Sequence, residues 1–437
     1  VDALVAEGVI GEGTGEARPV DARPPADSVK KKLSWRLLAG YDDDPGTVLE
    51  LPRGGGSIGG TRSGASDRRD LGSRTGSPTS IRVLDLSRGV AGGYAAQMLA
   101  LAGAEVLRVE ASHTALPRLE GDAVVRVCLN RGKTIVPMDL DAAEGRAALL
   151  ARLRGCDVLV EDLGPGGLEA LGLDEGTLRA QRPDLVICRV SEFGADGPLA
   201  DWSGSELVNL AAGGMLFLTG SCDRPPVQLA PEQAQLATGL LAAVATLAAL
   251  YGGEPVTLDM SKQECVAALI TPELTQYAYT GAIPAREGMV ASMARIEQAQ
   301  DTWVYAGPGA AANADYQTYA RFLEIPELAE DRFATADRRM EHWEEHQALL
   351  LPRLREKTAR EWTDAAAAWR LTFGLTQSTL DLLDCEQLTA REFFAPVPEA
   401  GDGVVAPLAP FLVDGRRPTN LTHQPTEGAG DGPAAAE

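Results

Sequence analysis

Two acids and one glycine-rich stretch carry the chemistry that this sequence offers. The first acid is Glu232, in "RPPVQLAPEQAQLATGLLAAVATLAAL", Arg224 to Leu250, where it stands in a polar turn just before a long apolar run. A carboxylate there is a nucleophile, an acid favoured by the helix dipole at about 0.3–1 kcal/mol, or what remains of a lost site. The second acid is Glu206 in "SGSELVNLAAGG", which reads as an acid–base group or as a cap for the helix starting there. The glycine stretch is "RGVAGGY", directly after a strand-like run. A βα turn of this kind cradles phosphates, or simply needs small residues to be tight. It does not follow the GxGxxG pattern, and only Glu110 stands near the position of a ribose-binding acid.

Other chemistry-bearing residues point elsewhere. His342 and His346 fall on one helix face in "EHWEEH", but the order is not that of a zinc-binding HExxH, so a solvated charged face is expected and no metal. Ser261 and Ser378 lack the context of a nucleophile elbow, and Cys265 sits in a core-helix pattern where packing is its expected role. The six cysteines are scattered, with no CxxC pair, which fits a reducing cytoplasm better than a disulfide framework. A formal charge of −22 disfavours nucleic acid and anionic membranes as partners, while leaving room for a local cationic pocket.

The elements that must position these groups are legible from Ile81 onward. "IRVLDLS", the glycine turn, "AAQMLALAGA" and "EVLRVEA" make one βαβ unit. "TIVPMDL", "DAAEGRAALLARLRGC", "DVLVEDL", "GGLEALGL" and "RPDLVICRVSEFG" continue the alternation, and "PVTLDMSKQECVAALI" adds a strand and a helix. The fold class is therefore α/β: a Rossmann-like large domain with an open parallel sheet over 80–270. The run from Leu236 to Leu250 reads as a buried helix too short to span a membrane. From about Thr271 the pattern changes to a smaller α+β domain, 271–385, with "DTWVYAG" as a strand and several helices. Residues 386–415 return to the large domain through "VVAPLAPFLVDG", and 416–437 read as a disordered tail. Residues 1–79 read as a disordered segment or inter-domain linker, rich in Gly, Ser and Arg, with "KKKLSWRLLAG" a candidate short helix.

These segments, in this order, resemble the class III CoA-transferases, the CaiB/BaiF group that includes formyl-CoA transferase, carnitine CoA-transferase and α-methylacyl-CoA racemase. The resemblance is carried by "RVLDLSRGVAGGYAAQMLALAGAEVLRVE", "LNRGKTIVPMDL", "DVLVEDLGPGGLEALGL" and "SEFGADGPLADW", then by "DTWVYAG", "DRFATADRR" and "REWTDAAAAW" in the smaller domain. It spans about Ile81 to Leu412 and implies two chains interlocked like links. It also implies covalent catalysis, in which a carboxylate attacks an acyl-CoA and CoA is passed to a second carboxylic acid, with backbone N–H groups of glycine turns holding the oxyanions. The catalytic residues so implied are Glu232, where the family has Asp in a Gly-Asp pair, and Glu206. Pro231-Glu232 replaces that pair, and a carboxylate one methylene longer, misplaced by about 1 Å, loses about a hundredfold in rate.

By the same resemblance Gly89, Val90, Ala91, Lys133, Asp162 and Leu163 occupy the CoA-binding positions, with Lys133 meeting the nucleotide phosphates and no metal required. Ala111, Ala170 and Ser203 stand where family members carry phosphate-binding cations; Arg108, Arg118, Arg126 and Arg131 are possible substitutes. Ser205 replaces the racemases' histidine, which makes an acyl-CoA racemase or epimerase the weaker alternative. "VDALVAEGVI" resembles the family's C-terminal tail, so this chain reads as the second half of a tandem fusion, in which one half could be catalytically degenerate and act structurally. The expected partners are then a small acyl-CoA, a carboxylic acid, and either a second copy or a fused half. Substrate choice is expected in the loops at 270–300 and 371–380.

Overall fold

Alternating apolar runs become alternating strands and helices. The computed structural model describes residues 81–110, 123–220, 224–283, 296–307, 316–397 and 402–418. The expectations for 1–79, Ala111, Arg118, the loop 284–295 and the tail from 419 lie outside these residues, as does the side chain of Arg126. In chain order come β1 (Arg82–Asp85), α1 (Val90–Leu101), β2 (Glu105–Glu110), α2 (Ala123–Asn130), β3 (Lys133–Pro137), α3 (Ala143–Leu153), β4 (Val158–Glu161), α4 (Gly167–Ala170), α5 (Glu175–Gln181), β5 (Val186–Ser191), α6 (Glu206–Ala212), α7 (Met215–Leu218), α8 (Gln233–Gly252), β6 (Thr257–Ser261), α9 (Lys262–Leu269) and α10 (Thr271–Thr280). Helix α5, capped by Asp174 accepting from the Thr177 amide, is an element the sequence pattern did not separate from its surroundings.

The six strands form one parallel sheet in the order β3-β2-β1-β4-β5-β6. Alternation along each strand feeds two cores. Val83, Val106, Val158, Val160, Val186 and Cys188 face α1 and α8. Leu84, Leu159 and Ile187 point the other way, onto Leu149 and Leu153 of α3 and Leu178 of α5. The strand order reverses between β1 and β4, and ligands of open α/β sheets bind beyond the strand ends at such a reversal.

The glycines after β1 are not a loop. Helix α1 begins at Val90, so "VAGG" is its first turn. A Cβ on Gly92 would lie 2.5 Å from the Ser87 Cβ and 2.8 Å from Asp162 Oδ2, which explains why small residues are needed there. Helix α8 packs along α1 through Gly239, where a Cβ would fall 2.5 Å from the Ala91 carbonyl oxygen. At 20 residues α8 is longer than its apolar run suggested, and by length and composition alone it would suffice to cross a membrane. One face, with Ala234, Thr238, Gly239, Ala242, Ala243 and Thr246, is buried in the protein, while Leu240, Val244, Leu247 and Tyr251 are exposed on the other.

A second core follows. It is built by β7 (Ile296–Gln298), β8 (Trp303–Gly307), α11 (Tyr316–Phe322), two 3-10 turns, α12 (Ala336–Glu341), α13 (Trp343–Leu354), α14 (Ala359–Ala368) and β9 (Thr372–Leu375), with the strands antiparallel in the order β7-β8-β9. Trp362, fully buried, lies at its centre against Phe322 and Phe373. After α15 (Thr379–Leu383) and α16 (Glu386–Ala390), β10 (Phe394–Pro396) and β11 (Val405–Pro407) pair as an antiparallel hairpin rather than joining the main sheet. That segment nevertheless returns to the first core: Ala409 is buried in it, and Arg131 Nη1 donates to the Pro407 carbonyl at 3.1 Å. Gly239→Ala is expected to force α8 off α1 and lower stability by about 1–3 kcal/mol, measured by denaturant unfolding.

Candidate active site

The helices that follow a parallel strand start at one edge of the sheet, and their first amides need acceptors. Here two of those acceptors are side chains from other segments. Asp162, just after β4, crosses to the turn after β1, where its two oxygens accept from the amides of Arg88 and Gly89, the latter at 2.9 Å. Burial pushes its carboxyl above the usual carboxylate range, while those two amides and Lys262 oppose the shift. Gly89 and Asp162 were expected to hold CoA. In the structure they hold each other, so the Gly89 amide is already committed and offers no free oxyanion donor in this state.

The other positions inferred for CoA also lie against protein groups. Val90 and Ala91 are buried, Val90 against Leu129, and Leu163 is half-buried against the core beneath the sheet. Lys133 has no exposed surface; its Nζ donates to Asp85 Oδ2 and to the Gly93 carbonyl, each at 2.8 Å. The nitrogen expected to meet nucleotide phosphates is thus locked inside the sheet. The parallel register explains this, because β1, β2 and β3 are neighbours and bring Asp85, Arg108 and Lys133 to one level. Arg108 Nη1 donates to Asp85 Oδ1 at 3.1 Å and to Ser87 Oγ at 2.8 Å. Burial alone would raise the Asp85 carboxyl; Lys133 and Arg108 outweigh it and hold the group below its ordinary value. Ala170 and Ser203 are exposed. Arg108 and Arg131 are buried on protein partners.

Glu206 starts α6 but does not cap it. Ser205 does so, its Oγ accepting from the Val208 amide at 3.4 Å. The Glu206 carboxylate instead reaches the beginning of α8, accepting from the amides of Ala234 at 2.8 Å and Gln235 at 3.3 Å. Glu232, the residue at the α8 N-cap, is therefore spared that duty and makes no side-chain cap hydrogen bond. Its backbone is left-handed, with φ 65° and ψ 15°, a conformation costing a non-glycine residue about 1–3 kcal/mol. Partial burial raises its carboxyl above the ordinary value, the negative charge of Glu206 adds to the rise, and Lys262 works against it. Leu236, one turn on, packs with Val90 and Leu129, so the first turn of α8 lies alongside the start of α1.

The remaining candidates have structural roles. Ser261 caps α9 and Ser378 caps α15. Cys265 is buried in α9. His346 is buried rather than solvated, bonded to the Tyr316 hydroxyl, and burial with the nearby Arg339 pushes it down to about 4, so it is neutral at physiological pH. Among the described residues no group of three or more His, Cys, Asp or Glu is placed to hold a metal. What sequence reasoning missed is the ion pair of Lys262 and Glu192, 2.6 Å apart beside the start of α8. The available signal was a lysine at the first position of a helix, where the dipole disfavours a cation.

A parallel sheet with a strand-order reversal, and a half-buried carboxylate on a left-handed backbone that has no hydrogen-bond partner among the described residues, suits an α/β enzyme doing covalent chemistry on a carboxyl or acyl group. Comparison with known proteins places it further. The family model of CoA-transferase family III matches residues 79–430, and the chain belongs to that family. It is similar to the succinyl-CoA–D-citramalate CoA-transferase of Chloroflexus aurantiacus, 31% identical over 352 residues that cover 76% of this chain and 87% of the relative. It is 28% identical to the succinate–glutarate CoA-transferase of Agrobacterium fabrum, covering 77% of this chain and 89% of the relative. Among solved structures, a CaiB/BaiF family protein from Brucella suis superimposes with a TM-score of 0.69 at 25% identity, covering 80% of this chain and 95% of that one. The chain is a class III CoA-transferase, an enzyme that moves CoA between carboxylic acids.

Two outcomes test the site as described. Lys133→Met leaves Asp85 and Arg108 without their buried partner, and is expected to cost about 3–5 kcal/mol of stability in denaturant unfolding. At a temperature where that variant stays folded, calorimetry should find CoA affinity unchanged. Glu206→Gln removes the like charge beside Glu232, so the acid limb of the activity profile should move to lower pH. Its weakened cap should also lower stability by about 1 kcal/mol.

Proposed function

We propose that Glu232 is the nucleophile of this transferase and carries CoA between two small carboxylic acids. A Glu232 oxygen attacks the thioester carbonyl of the donor, the C–S bond breaks, and CoA thiolate leaves a mixed anhydride. The thiolate then attacks the Glu232 carbonyl carbon, releasing the donor as its carboxylate and leaving Glu232 as the CoA thioester. The acceptor carboxylate repeats the sequence in reverse: it displaces the thiolate to form a second anhydride, and the thiolate takes the acceptor acyl group and frees Glu232. No net proton is consumed. The observation that carries this reading is a carboxylate held at a strained left-handed position, spared from capping because Glu206 does that work. Ser205, bound to the Val208 amide, supplies no second proton-transfer group, which favours transfer over racemisation.

For the substrates we infer small dicarboxylic acids. Relatives are named for succinyl-CoA with D-citramalate, glutarate or mesaconate, and the names support that class. We further propose that a second copy, or a fused half of the same kind, covers the apolar stripe of Leu240, Val244, Leu247 and Tyr251 on α8, which are exposed, as are Leu274 and Tyr277 of α10. The spacing of that stripe supports one continuous helical face. A reducing cytoplasm is proposed as its location, supported by the five described cysteines being free thiols.

The test is CoA exchange from succinyl-CoA to glutarate or mesaconate. Glu232→Gln should lose at least about a thousandfold in rate with the fold intact. Glu232→Asp should retain activity or gain it, since Asp tolerates the left-handed backbone better. Full activity in Glu232→Gln would overturn the assignment.

A further inference from the structure

Lys262 is a buried charge at the site that the reaction as written leaves without a role. It is the first residue of α9, at the positive end of that helix, where a cation is disfavoured, and its side chain is buried. Its anchorage is specific. Nζ donates to Glu192 Oε1 at 2.6 Å, and Glu192 Oε2 accepts from Asn209 Nδ2 at 2.6 Å. Main chain adds to the grip, the Gln263 amide donating to the Glu192 carbonyl at 3.1 Å. Gly204 leaves the space: a Cβ there would fall 2.3 Å from Glu192 Oε2. Asn209 is itself fully buried, and its Oδ1 has no hydrogen-bond partner among the described residues.

Packing fixes where this ammonium lies. Val266, one turn after Lys262, meets Ala234 at the start of α8 and Leu210 of α6 in one small core. The first turns of α6, α8 and α9 therefore converge, with Lys262 among them. Its charge acts on two carboxylates, Glu232 and Asp162.

We propose that Lys262, anchored by Glu192 and Asn209, is a positioning cation of the transfer reaction: it faces the Glu232 carboxylate and readies it for attack on the thioester. The inference rests on Glu232 being the nucleophile. Among the described residues, two charged groups act on Glu232. From α6 comes the negative Glu206 and from the start of α9 the positive Lys262. Asp162, after β4, and Glu192, after β5, meet Lys262 rather than Glu232. On α1, packed along α8, the nearest titratable group is Tyr94, whose hydroxyl burial pushes up, so it is neutral. Lys262 is thus the cation that offsets both burial and Glu206, and without it the nucleophile would stay protonated to higher pH. A lysine that merely filled space would move stability but not this balance.

The pH profile of kcat/KM for transfer from succinyl-CoA separates these cases, measured for the native enzyme, Lys262→Met, Lys262→Arg and Glu232→Gln. Loss of the cation should move the acid limb up by about one pH unit, so that the rate below that limb falls about tenfold. Lys262→Arg should restore the native limb. The double variant Glu192→Gln with Lys262→Met removes the carboxylate left unpaired, guards against simple misfolding, and should keep the shifted limb. An unmoved limb in the folded double variant, with Glu232→Gln inactive, overturns the role of Lys262 alone. An active Glu232→Gln overturns the nucleophile itself.

Discussion

The site follows from one constraint. A parallel sheet sends the starts of its following helices to a single edge, and the amides of each first turn must be satisfied there. In this chain Ser205 satisfies α6, Ser261 satisfies α9, Asp162 satisfies the turn before α1, and Glu206 satisfies α8. The last of these is the decisive one. Because an acid 28 residues upstream caps the long helix, the residue at the helix's own N-cap has no capping to do. Glu232 is left with a free carboxylate, a left-handed backbone and a like charge beside it. Such a group is costly to keep, and its cost has a use if it attacks a thioester.

The charged groups of the large domain divide into two sets with different roles. Asp85, Lys133 and Arg108 are buried inside the sheet, where Asp85 pairs with both cations, and their removal is expected to affect folding. Glu232, Glu206, Lys262, Glu192 and Asp162 gather near the starts of α1, α6, α8 and α9, where Glu206 raises the Glu232 carboxyl and Lys262 opposes the rise. The same residue types at similar depth thus serve stability in one place and reactivity in another. Geometry separates them: the first set is paired across three neighbouring strands, while the second is contributed by helix starts and the segments after β4 and β5.

Much of the architecture was legible in sequence because β-strand and helix periods are local. Alternation predicted the parallel sheet, and the acid before the apolar run stood out as the candidate nucleophile. What no local pattern carries is a pairing between distant residues. The partner of Lys133 is Asp85, 48 residues earlier, brought close only by strand register. Glu206 looked like the cap of its own helix, yet it caps another. His346 looked solvated, but Tyr316, 30 residues upstream, buries and bonds it. The glycine stretch was read as a βα turn, whereas Gly92 stands inside the first turn of α1, where contact with Ser87 and Asp162 dictates a small residue. Lys262 and Glu192, 70 residues apart, carry no shared local pattern at all.

The most direct measurement traps the covalent intermediate. The enzyme would be mixed with succinyl-CoA alone, quenched with borohydride, digested, and its peptides mapped by mass spectrometry. The account predicts that the glutamate reduced to an alcohol is Glu232, and that the modification vanishes when acceptor acid is added first. Reduction at Glu206 or another carboxylate, or none in enzyme that is turning over, would contradict it.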